Sequence, residues 1–413
     1  MRHAAAVTLL SLLPVAAWAQ GNPLGPEFRV NTYTSLAQAF PSAGVDSGGN
    51  FVVVWQSQYQ DGSSYGVFGQ RFAVTGAPLG GEFRVNTYTP LFQGEPSVGG
   101  ADGSGNFVVV WQSNPGQDGS QGGIFGQRYA ASGTPLGGEF RVNSYTTGNQ
   151  SLTSAAVALS GPFVVVWRST DGSSYGAFGQ RYAVSGAPLG GEFRVNTYTT
   201  QAQTPTGVAT DSIGNFVVVW QSLQDGSLSG VFGQRYAVSG APVGAEFQIN
   251  TYTLDNQLNA AVDMDGAGNF VVVWESRGQD GSSDGIFAQR YASTGAPVGG
   301  EFRVNTTTTG SQYTPAVAAD ASGNFVVTWS SYDGSSNGTF GQRFASFGAP
   351  QGPEFRVNTF SLANQVASTV AADGIGRFVV AWRSDIADGS AYGVFAQRYG
   401  PIVPVELIRF GVE

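Results

Sequence analysis

The chain has 413 residues, a net charge of −9 and no lysine, and only 11% of its residues are charged. This balance argues against nucleic acid or an anionic membrane surface as a partner. With 60 glycines, 13% aromatic residues and no cysteine, the composition is typical of many short strands joined by tight turns and held by a core rather than by disulfides.

Residues 1–19 have the features of an export signal. Arg2 supplies the positive charge, an apolar stretch follows, and Ala17-Trp18-Ala19 matches a small-residue cleavage site. The apolar stretch is short and is interrupted by Pro14, so it is not predicted to span a membrane, and no later stretch is long and apolar enough to do so. We therefore expect cleavage before Gln20 and a secreted or periplasmic protein.

After the signal, three motifs recur seven times each, with a period of 53 to 57 residues. The motifs are EFRVN, FVVVW and F-[GA]-Q-R-[FY], or close variants. The period matches a four-stranded blade of a β-propeller and is too long for one coil of a β-helix. The first motif begins at Glu27, Glu82, Glu139, Glu192, Glu246, Glu301 and Glu354, the second ends at Trp55, Trp111, Trp167, Trp220, Trp274, Trp329 and Trp382, and the third contains Arg71, Arg128, Arg181, Arg235, Arg290, Arg343 and Arg398.

Each repeat divides into four strand-like segments, as residues 96–147 illustrate. Pro96–Ala101 is a short strand, and a hairpin turn leads to the continuous apolar strand Phe107–Ser113. Gly123–Ala130 is the third strand and Glu139–Tyr145 the fourth. Such thin sheets must stack on one another to hide both faces. The sequence therefore predicts an all-β fold, a seven-bladed β-propeller of four-stranded antiparallel blades.

The two ends of the repeat region are offset from each other. Glu27–Thr34 is a fourth-strand motif with no blade before it, and Tyr392–Tyr399 is a third-strand motif with no fourth strand after it. We expect the N-terminal strand to complete the last blade and close the ring, which also covers exposed strand edges. An open array and paired sandwiches are the alternatives. The predicted domains are one propeller over residues 20–400 and a C-terminal tail over 401–413.

The repeats resemble those of secreted bacterial β-propeller proteins that carry the signatures D-x-x-G-N-F-V-V-V-W and G-x-F-G-Q-R-[FY]. Asp46–Trp55 and Gly66–Phe72 match these signatures, and the resemblance extends over about residues 22 to 400. It implies the propeller fold and does not imply a shared activity.

Side chains suited to catalysis are few. The only histidine, His3, lies in the signal, so no histidine or cysteine relay or zinc site can form in the mature chain. Carboxylates, tyrosines and arginines remain, and these suffice for a glycosidase or a lyase. No pair of acids stands out from the repeats. The repeated glutamates, arginines and tryptophans are expected to serve the scaffold and the core.

Aspartates recur in two sets of turns. Oxygen-rich loops can bind calcium, and Asp263, Asp265 and Asn269 come closest to a calcium-binding pattern. Most of the other loops offer a single carboxylate. We favour the interpretation that aspartate caps tight turns through bonds to the backbone. No cofactor is expected, and calcium is the one alternative.

The loop between the second and third strands varies most in length, with 13 to 16 residues from each repeated tryptophan to the next repeated glutamine. It shares a face with the connections between blades, and binding surfaces are often built from such loops. Departures from the repeat on this face are the candidate binding residues, with ordinary solvated loop positions as the alternative. The candidates are Gln56, Tyr59, Gln112, Arg168, Gln221, Glu275, Arg277, Asp284, Tyr332, Arg383 and Asp385.

Three functional hypotheses follow. The main one is a non-catalytic secreted scaffold that binds an extracellular protein or a polysaccharide through the variable-loop face. The first alternative is a carbohydrate-active enzyme, a glycosidase or lyase, with carboxylate or tyrosine chemistry at the central mouth. The second alternative is a calcium-stabilised adhesive or structural module.

Overall fold

The computed structural model describes residues 23–400 apart from 173, 386–388 and 390. The predicted signal at 1–19 and the tail at 401–413 lie outside the described residues. Every regular element in the described part is a β-strand, and it contains no helix that would reach across a bilayer.

The strands fall into seven four-stranded antiparallel units. Five units are separate sheets, and units 1 and 2 are joined into one eight-stranded sheet by a single parallel pair, Tyr65 with Phe92. None of the sheets closes on itself. The prediction of an all-β fold of repeated four-stranded antiparallel sheets is confirmed.

The first four units account for sixteen strands. Unit 1 contains β2 (Gln38–Val45), β3 (Phe51–Gln58), β4 (Tyr65–Phe72) and β5 (Phe83–Arg84); unit 2 contains β6 (Phe92–Ala101), β7 (Phe107–Asn114), β8 (Gly123–Tyr129) and β9 (Phe140–Arg141); unit 3 contains β10 (Ser151–Val157), β11 (Phe163–Thr170), β12 (Tyr175–Tyr182) and β13 (Phe193–Arg194); unit 4 contains β14 (Gln203–Thr210), β15 (Phe216–Ser222), β16 (Gly230–Tyr236) and β17 (Pro242–Gln248).

The last three units include the first strand of the chain. Unit 5 contains β18 (Gln257–Met264), β19 (Phe270–Arg277), β20 (Asp284–Tyr291) and β21 (Phe302–Arg303); unit 6 contains β22 (Gln312–Ala319), β23 (Phe325–Tyr332), β24 (Asn337–Phe344) and β25 (Phe355–Arg356); unit 7 contains β26 (Gln365–Ala372), β27 (Phe378–Asp385), β28 (Tyr392–Tyr399) and β1 (Phe28–Arg29).

The fourth strands are shorter than the sequence predicts. In unit 2 the strand is Phe140–Arg141 instead of Glu139–Tyr145, because a side chain takes over the pairing. The side-chain carbonyl of Asn143 accepts the backbone N–H of Ile124 at 2.8 Å, and the side-chain amide of Asn143 donates to the Tyr145 backbone carbonyl at 2.9 Å. The asparagine of the EFRVN motif thus supplies a hydrogen-bond acceptor to the third strand, while the backbone after the fourth strand turns away from the sheet.

The core lies between neighbouring units. The second strands are buried on both sides, and the tryptophan that follows the valines is fully buried in all seven units. In one cluster Val166 of unit 3 packs with Val218 and Trp220 of unit 4. Truncation of a fully buried tryptophan to alanine costs about 3–5 kcal/mol, so these contacts dominate the stacking.

The repeated arginine of the third strand ties each unit to the next. Arg128 donates to the Val184 and Ser185 carbonyls at 2.6 and 2.5 Å, and these lie in the turn between the third and fourth strands of the following unit. The repeated glutamate of the fourth strand accepts bonds from a neighbouring unit, as Glu301 does from the backbone N–H of Thr251 at 2.6 Å. The motifs that recur in all repeats therefore hold the scaffold.

The same contacts join the two ends of the described chain. β1 pairs with β28, with Phe28 opposite Ala396. Trp55 of unit 1 shares a core cluster with Ala381 of unit 7. Arg398 of unit 7 donates to the Val74 carbonyl of unit 1 at 2.6 Å.

Two faces result from this strand order. The turn face carries the hairpin turns between first and second strands and the turns between third and fourth strands. The loop face carries the loops between second and third strands and the connections from one unit to the next.

Candidate functional site

The first strands of all seven units surround a cavity of about 330 Å³ at the turn-face end. Its walls are mainly valine, alanine and glycine, and the carboxyl group of Asp263 is buried there. This carboxylate accepts the backbone N–H of Ala319 in unit 6 at 2.7 Å and that of Met264 at 2.9 Å. Burial raises the pKa of Asp263 to about 6.

The turn aspartates around this cavity are used by their own turns. Asp265 accepts the backbone N–H groups of Ala267 and Asn269 at 2.9 Å, and its second oxygen accepts the Asn269 side chain at 2.8 Å. In the described part of the chain, no three histidine, cysteine or acidic side chains are grouped to hold a metal. The calcium assignment to Asp263, Asp265 and Asn269 stays a prediction. The carboxylates described at this cavity are already hydrogen-bonded within the protein, so the cavity is a weak candidate for a catalytic site.

The loop-face ends of the seven first strands lie opposite this cavity and are called here the mouth. Each first strand has a bulge there, and in six units a non-glycine residue at the bulge has a positive φ. Unit 4 has Pro205 at this position, and its ring excludes a positive φ. The six residues are Phe40, Glu95, Leu152, Asn259, Thr314 and Ala367.

Backbone strain is concentrated on this face. All twelve non-glycine residues with positive φ in the described part lie on the loop face, whereas the positive-φ positions of the turn face are glycines. Each such conformation costs of order 1–3 kcal/mol, and strain of this kind clusters at functional sites. The loop face is therefore the better candidate for function.

The residues after the tryptophans lie at the ends of the second strands, beneath the bulges, and not in loops. The Gln56 carbonyl accepts the backbone N–H of Glu95 at 3.1 Å, and Glu275 accepts that of Thr314 at 3.3 Å. Gln221 accepts the N–H of Asn259 at 3.4 Å. The seven side chains after the tryptophans are called here the collar of the mouth, and in these three cases one unit supports the bulge of the next.

The part of the collar in units 5 to 7 has the richest chemistry. Glu275 is partly buried, and burial raises the pKa of its carboxyl group. A hydrogen bond of 3.0 Å from the Asn259 amide opposes this shift, whereas the charge of Asp284 adds to it. Glu275 is thus a carboxyl group that holds its proton to a higher pH than an exposed glutamate.

Tyr313 lies beside Glu275 in the first strand of unit 6. Burial raises the pKa of its phenol; the charge of Arg383 lowers it, and those of Glu275 and Asp385 raise it. The Arg383 guanidinium lies 4.5 Å above the ring of Tyr392, and its Nε is 3.3 Å from Asp385. We call Asn259, Glu275, Tyr313, Arg383 and Asp385 the mouth cluster.

A second cluster lies in units 1 to 3. Burial raises the pKa of Glu95, and the charge of Arg168 opposes the rise. The Arg168 guanidinium lies 4.5 Å above the ring of Tyr175 and donates to the Ser151 hydroxyl at 3.0 and 3.2 Å. We call Phe40, Glu95, Arg168 and Tyr175 the second cluster.

The remaining predicted residues lie around these clusters. Asp284 accepts the Ser311 hydroxyl at 2.8 Å, and Gln112 is a buried collar residue. Tyr59, Arg277 and Tyr332 are exposed outside the collar. The structure therefore separates the predicted binding residues, and it brings three of them together in the mouth cluster: Glu275, Arg383 and Asp385. Asn259, Tyr313, Phe40, Glu95 and Tyr175 are additional residues of the two clusters.

One signal in the sequence could have found part of the missing set. A glutamine lies at or beside the start of every first strand, and the bulge residue follows this glutamine two positions later. Across the repeats the bulge position changes from Phe40 and Glu95 to Asn259 and Thr314, although the glutamine is constant.

No protein-family model and no curated protein matches the chain. Solved structures match it in fold. A polysaccharide lyase of family PL25, an ulvan lyase bound to -[GlcA(1-4)Rha3S]-, has a TM-score of 0.56 at 10% identity and covers 91% of this chain and 94% of its own. An α-L-arabinanase of Penicillium chrysogenum complexed with arabinobiose has a TM-score of 0.51 at 12% identity and covers 92% and 99%. A protein of unknown function from Dyadobacter fermentans has a TM-score of 0.53 at 10% identity and covers 92% and 99%.

These neighbours are β-propeller lyases and glycosidases, apart from the protein of unknown function. They correct the main hypothesis drawn from the sequence. A non-catalytic scaffold is the wrong first hypothesis, because the structures of known activity cited here are enzymes that cleave polysaccharides. The enzyme alternative is the better supported of the two.

Proposed function

We propose that this chain is a carbohydrate-active enzyme that cleaves glycosidic bonds of a polysaccharide at the mouth cluster. One observation carries the proposal. Glu275, a carboxyl group with a raised pKa, lies in the collar beside Tyr313, and the phenol of Tyr313 is within the electrostatic reach of Arg383 and Asp385. The polysaccharide-cleaving neighbours of the same fold support it.

The residues of the cluster suit separate roles. Glu275 is the proton donor to the leaving oxygen, since a raised pKa keeps a carboxyl group protonated near neutral pH. Asp385 is fixed by Arg383 and by the Asn364 amide at 3.0 Å, and it supplies the second carboxylate. In hydrolysis this carboxylate activates water or attacks the sugar. In elimination Tyr313 and Arg383 take its place, as base and as stabiliser of the developing charge.

The scaffold proposed for this site is a seven-bladed propeller over residues 20–400, closed by the N-terminal strand. Support comes from the pairing of β1 with β28, from the shared core of Trp55 and Ala381, and from the cavity that all seven first strands line. Export through residues 1–19, with cleavage before Gln20, remains part of the proposal. Mass spectrometry of the exported protein is expected to give a mature N-terminus at residue 20.

The test is an activity screen on neutral and uronate-containing polysaccharides. Release of reducing ends measures all cleavage, and ultraviolet absorbance of the unsaturated sugar reports elimination alone. We expect at least one polymer to be cleaved and Glu275→Gln to lower kcat by about 10²–10⁴-fold. We expect Tyr313→Phe to lower kcat, most strongly if the reaction is an elimination.

Tyr145→Phe is the matched control, because this tyrosine is exposed on the same face, in a connection outside the collar. It should cleave at the wild-type rate. Failure to cleave any polymer, or full activity of the Glu275 variant, would overturn the proposal.

A further inference from the structure

Phe40 shows that the mouth is built to present an aromatic ring on the side of units 1 to 3. Its side chain is 50% exposed although its backbone has a φ of 53°. A bulky residue in this region carries a strain of order 1–3 kcal/mol, which glycine would avoid. Carbohydrate and cofactor sites use such exposed aromatic faces as apolar platforms.

Glu95 is the bulge residue of the next unit, and one oxygen of its carboxyl group is unsatisfied. Its backbone N–H is held by Gln56, which pairs with Ala39 next to Phe40. Its Oε2 is buried and has no hydrogen-bond donor among the described residues. A buried acceptor without a donor is costly, and a ligand hydroxyl would satisfy it.

Arg168 completes the second cluster from unit 3. Tyr175 and Ser151 hold its guanidinium in one orientation, and its charge acts on Glu95. A carboxylate beside an oriented guanidinium offers an acceptor and donors side by side, which matches two adjacent hydroxyls of a sugar ring.

The charges around the mouth favour a neutral sugar over an acidic one. Each of the two collar arginines already has a carboxylate near it, Glu95 for Arg168 and Asp385 for Arg383. Glu275 adds a further acidic group. The mouth therefore has no excess of positive charge to bind a polyuronate, and its carboxylates accept bonds from hydroxyl groups.

We infer that the second cluster is a binding subsite for neutral sugar units of the same polysaccharide that the mouth cluster cleaves. The inference rests on the proposed function and names its substrate class, a neutral glycan long enough to span the mouth. Phe40 stacks on one sugar ring, and Glu95 and Arg168 bind its adjacent hydroxyls.

The experiment measures oligosaccharide binding and cleavage separately. Isothermal titration uses neutral arabino-, xylo-, galacto- and gluco-oligosaccharides of increasing length, with oligogalacturonates as the acidic arm. We expect Phe40→Ala and Glu95→Gln each to weaken binding of long neutral chains by about tenfold or more. Turnover of the shortest cleaved substrate should stay within about twofold of the wild type.

Leu254→Ala is the control, since this residue is exposed on the loop face in a connection outside both clusters. It should bind like the wild type. Phe40 is exposed, so its variant is expected to fold, and thermal melting checks Glu95→Gln. Unchanged binding in the Phe40 variant, or tighter binding of oligogalacturonates than of neutral chains, would overturn the inference.

The two proposals fail in different ways. Cleavage that requires Glu275 but is indifferent to Phe40 at every chain length removes the subsite and keeps the enzyme. Neutral oligosaccharides that bind through Phe40 without being cleaved keep the subsite and remove the enzyme.

Discussion

Single departures from the repeat give this molecule acidic side chains at positions that are not acidic in the other units. Six of the seven units have no acid after the tryptophan, and in unit 5 this position is Glu275. Likewise, two positions before the turn aspartate at the end of the first strand, the other units that have this aspartate carry glycine or alanine, and unit 5 has Asp263. Both groups have a raised pKa because the repeat places them where they are partly withdrawn from water. Position in the scaffold, more than residue type, sets the properties of these acids.

The buried Asp263 predicts a pH dependence of stability. Its pKa of about 6 in the folded chain lies above its ordinary value of 3.8, so folding favours the protonated form. This contribution is present at low pH and is lost as the pH rises from about 4 through 6, by up to about 3 kcal/mol. Asp263→Asn removes this titration but also replaces one acceptor oxygen with an amide donor, so its free energy of unfolding in denaturant should gain up to about 3 kcal/mol relative to the wild type between pH 4 and pH 7.5.

Three other charged groups lie near Asp263 and belong to the surroundings in which it titrates. Asp265 raises its pKa, and Asp320 and Arg290 lie at the same end of the fold. Asp255→Asn, at an exposed connection on the loop face, is the control and should follow the wild-type profile. Parallel pH profiles of Asp263→Asn and the wild type would contradict the prediction.

At the scale of the elements, the short fourth strand and the bulge decide which side chains a unit contributes to the mouth. The fourth strand pairs through only two residues in six units, and the asparagine side chain then takes the place of the backbone. The connection that follows reaches the first strand of the next unit and its bulge. The positive φ at the bulge turns residues such as Phe40 and Asn259 outward, while the glutamine two positions earlier is buried. The units thus combine a rigid interior with a variable rim.

Asn250 provides the test of this arrangement in unit 4. Its carbonyl accepts the backbone N–H of Val231 at 2.7 Å, and its amide donates to the Tyr252 carbonyl at 2.9 Å. Asn250→Ala leaves the buried N–H of Val231 without an acceptor, so we expect a loss of about 1–3 kcal/mol in the free energy of unfolding. Ser239→Ala, at an exposed turn of the same unit, should stay within about 0.5 kcal/mol of the wild type. Equal stability of the two variants would show that the asparagine does not carry the pairing.

At the scale of the whole molecule, stability depends on contacts between units that are far apart in sequence. Val30 and Asn31 are buried at the junction of the two chain ends, and the Asn31 carbonyl accepts the backbone N–H of Val394 at 2.8 Å. Glu27 accepts the N–H of Thr359 in unit 6. No disulfide is present among the described residues to hold the ends together. This N-terminal segment is the only fourth strand that unit 7 has among those residues.

Deletion of residues 20–34 should therefore loosen the last unit. It exposes the edge of β28 and removes the buried Val30, so we expect a lower melting temperature and a larger hydrodynamic radius in solution scattering. Deletion of residues 20–22 alone is the control and should change neither quantity. A chain lacking residues 20–34 that melts and scatters like the intact protein would contradict closure by the N-terminal strand.

Much of the candidate site could not be predicted from the sequence. The residues after the tryptophans were recognised as departures from the repeat, and Glu275, Arg383 and Asp385 were among them. In the structure they lie at the ends of second strands, beneath a neighbouring bulge. Tyr313 and Glu95 were missed, because their importance depends on partners in other units. The raised pKa of Glu275 also arises only when the units stack.

The sequence by itself determined the all-β class, the four-stranded unit and the buried tryptophans. These follow from local patterns, since alternation, apolar runs and turn residues act within one strand or one hairpin. The capping of turns by aspartate is equally local, as the bonds from Ala267 and Asn269 to Asp265 illustrate. Only the tertiary structure decided where each fourth strand ends and which side chains meet at the mouth. The physical reason is that the end of the fourth strand depends on a side-chain bond to the third strand of its own unit, 19 residues away, and that the mouth depends on burial and hydrogen bonds between neighbouring units, some 40 residues apart along the chain.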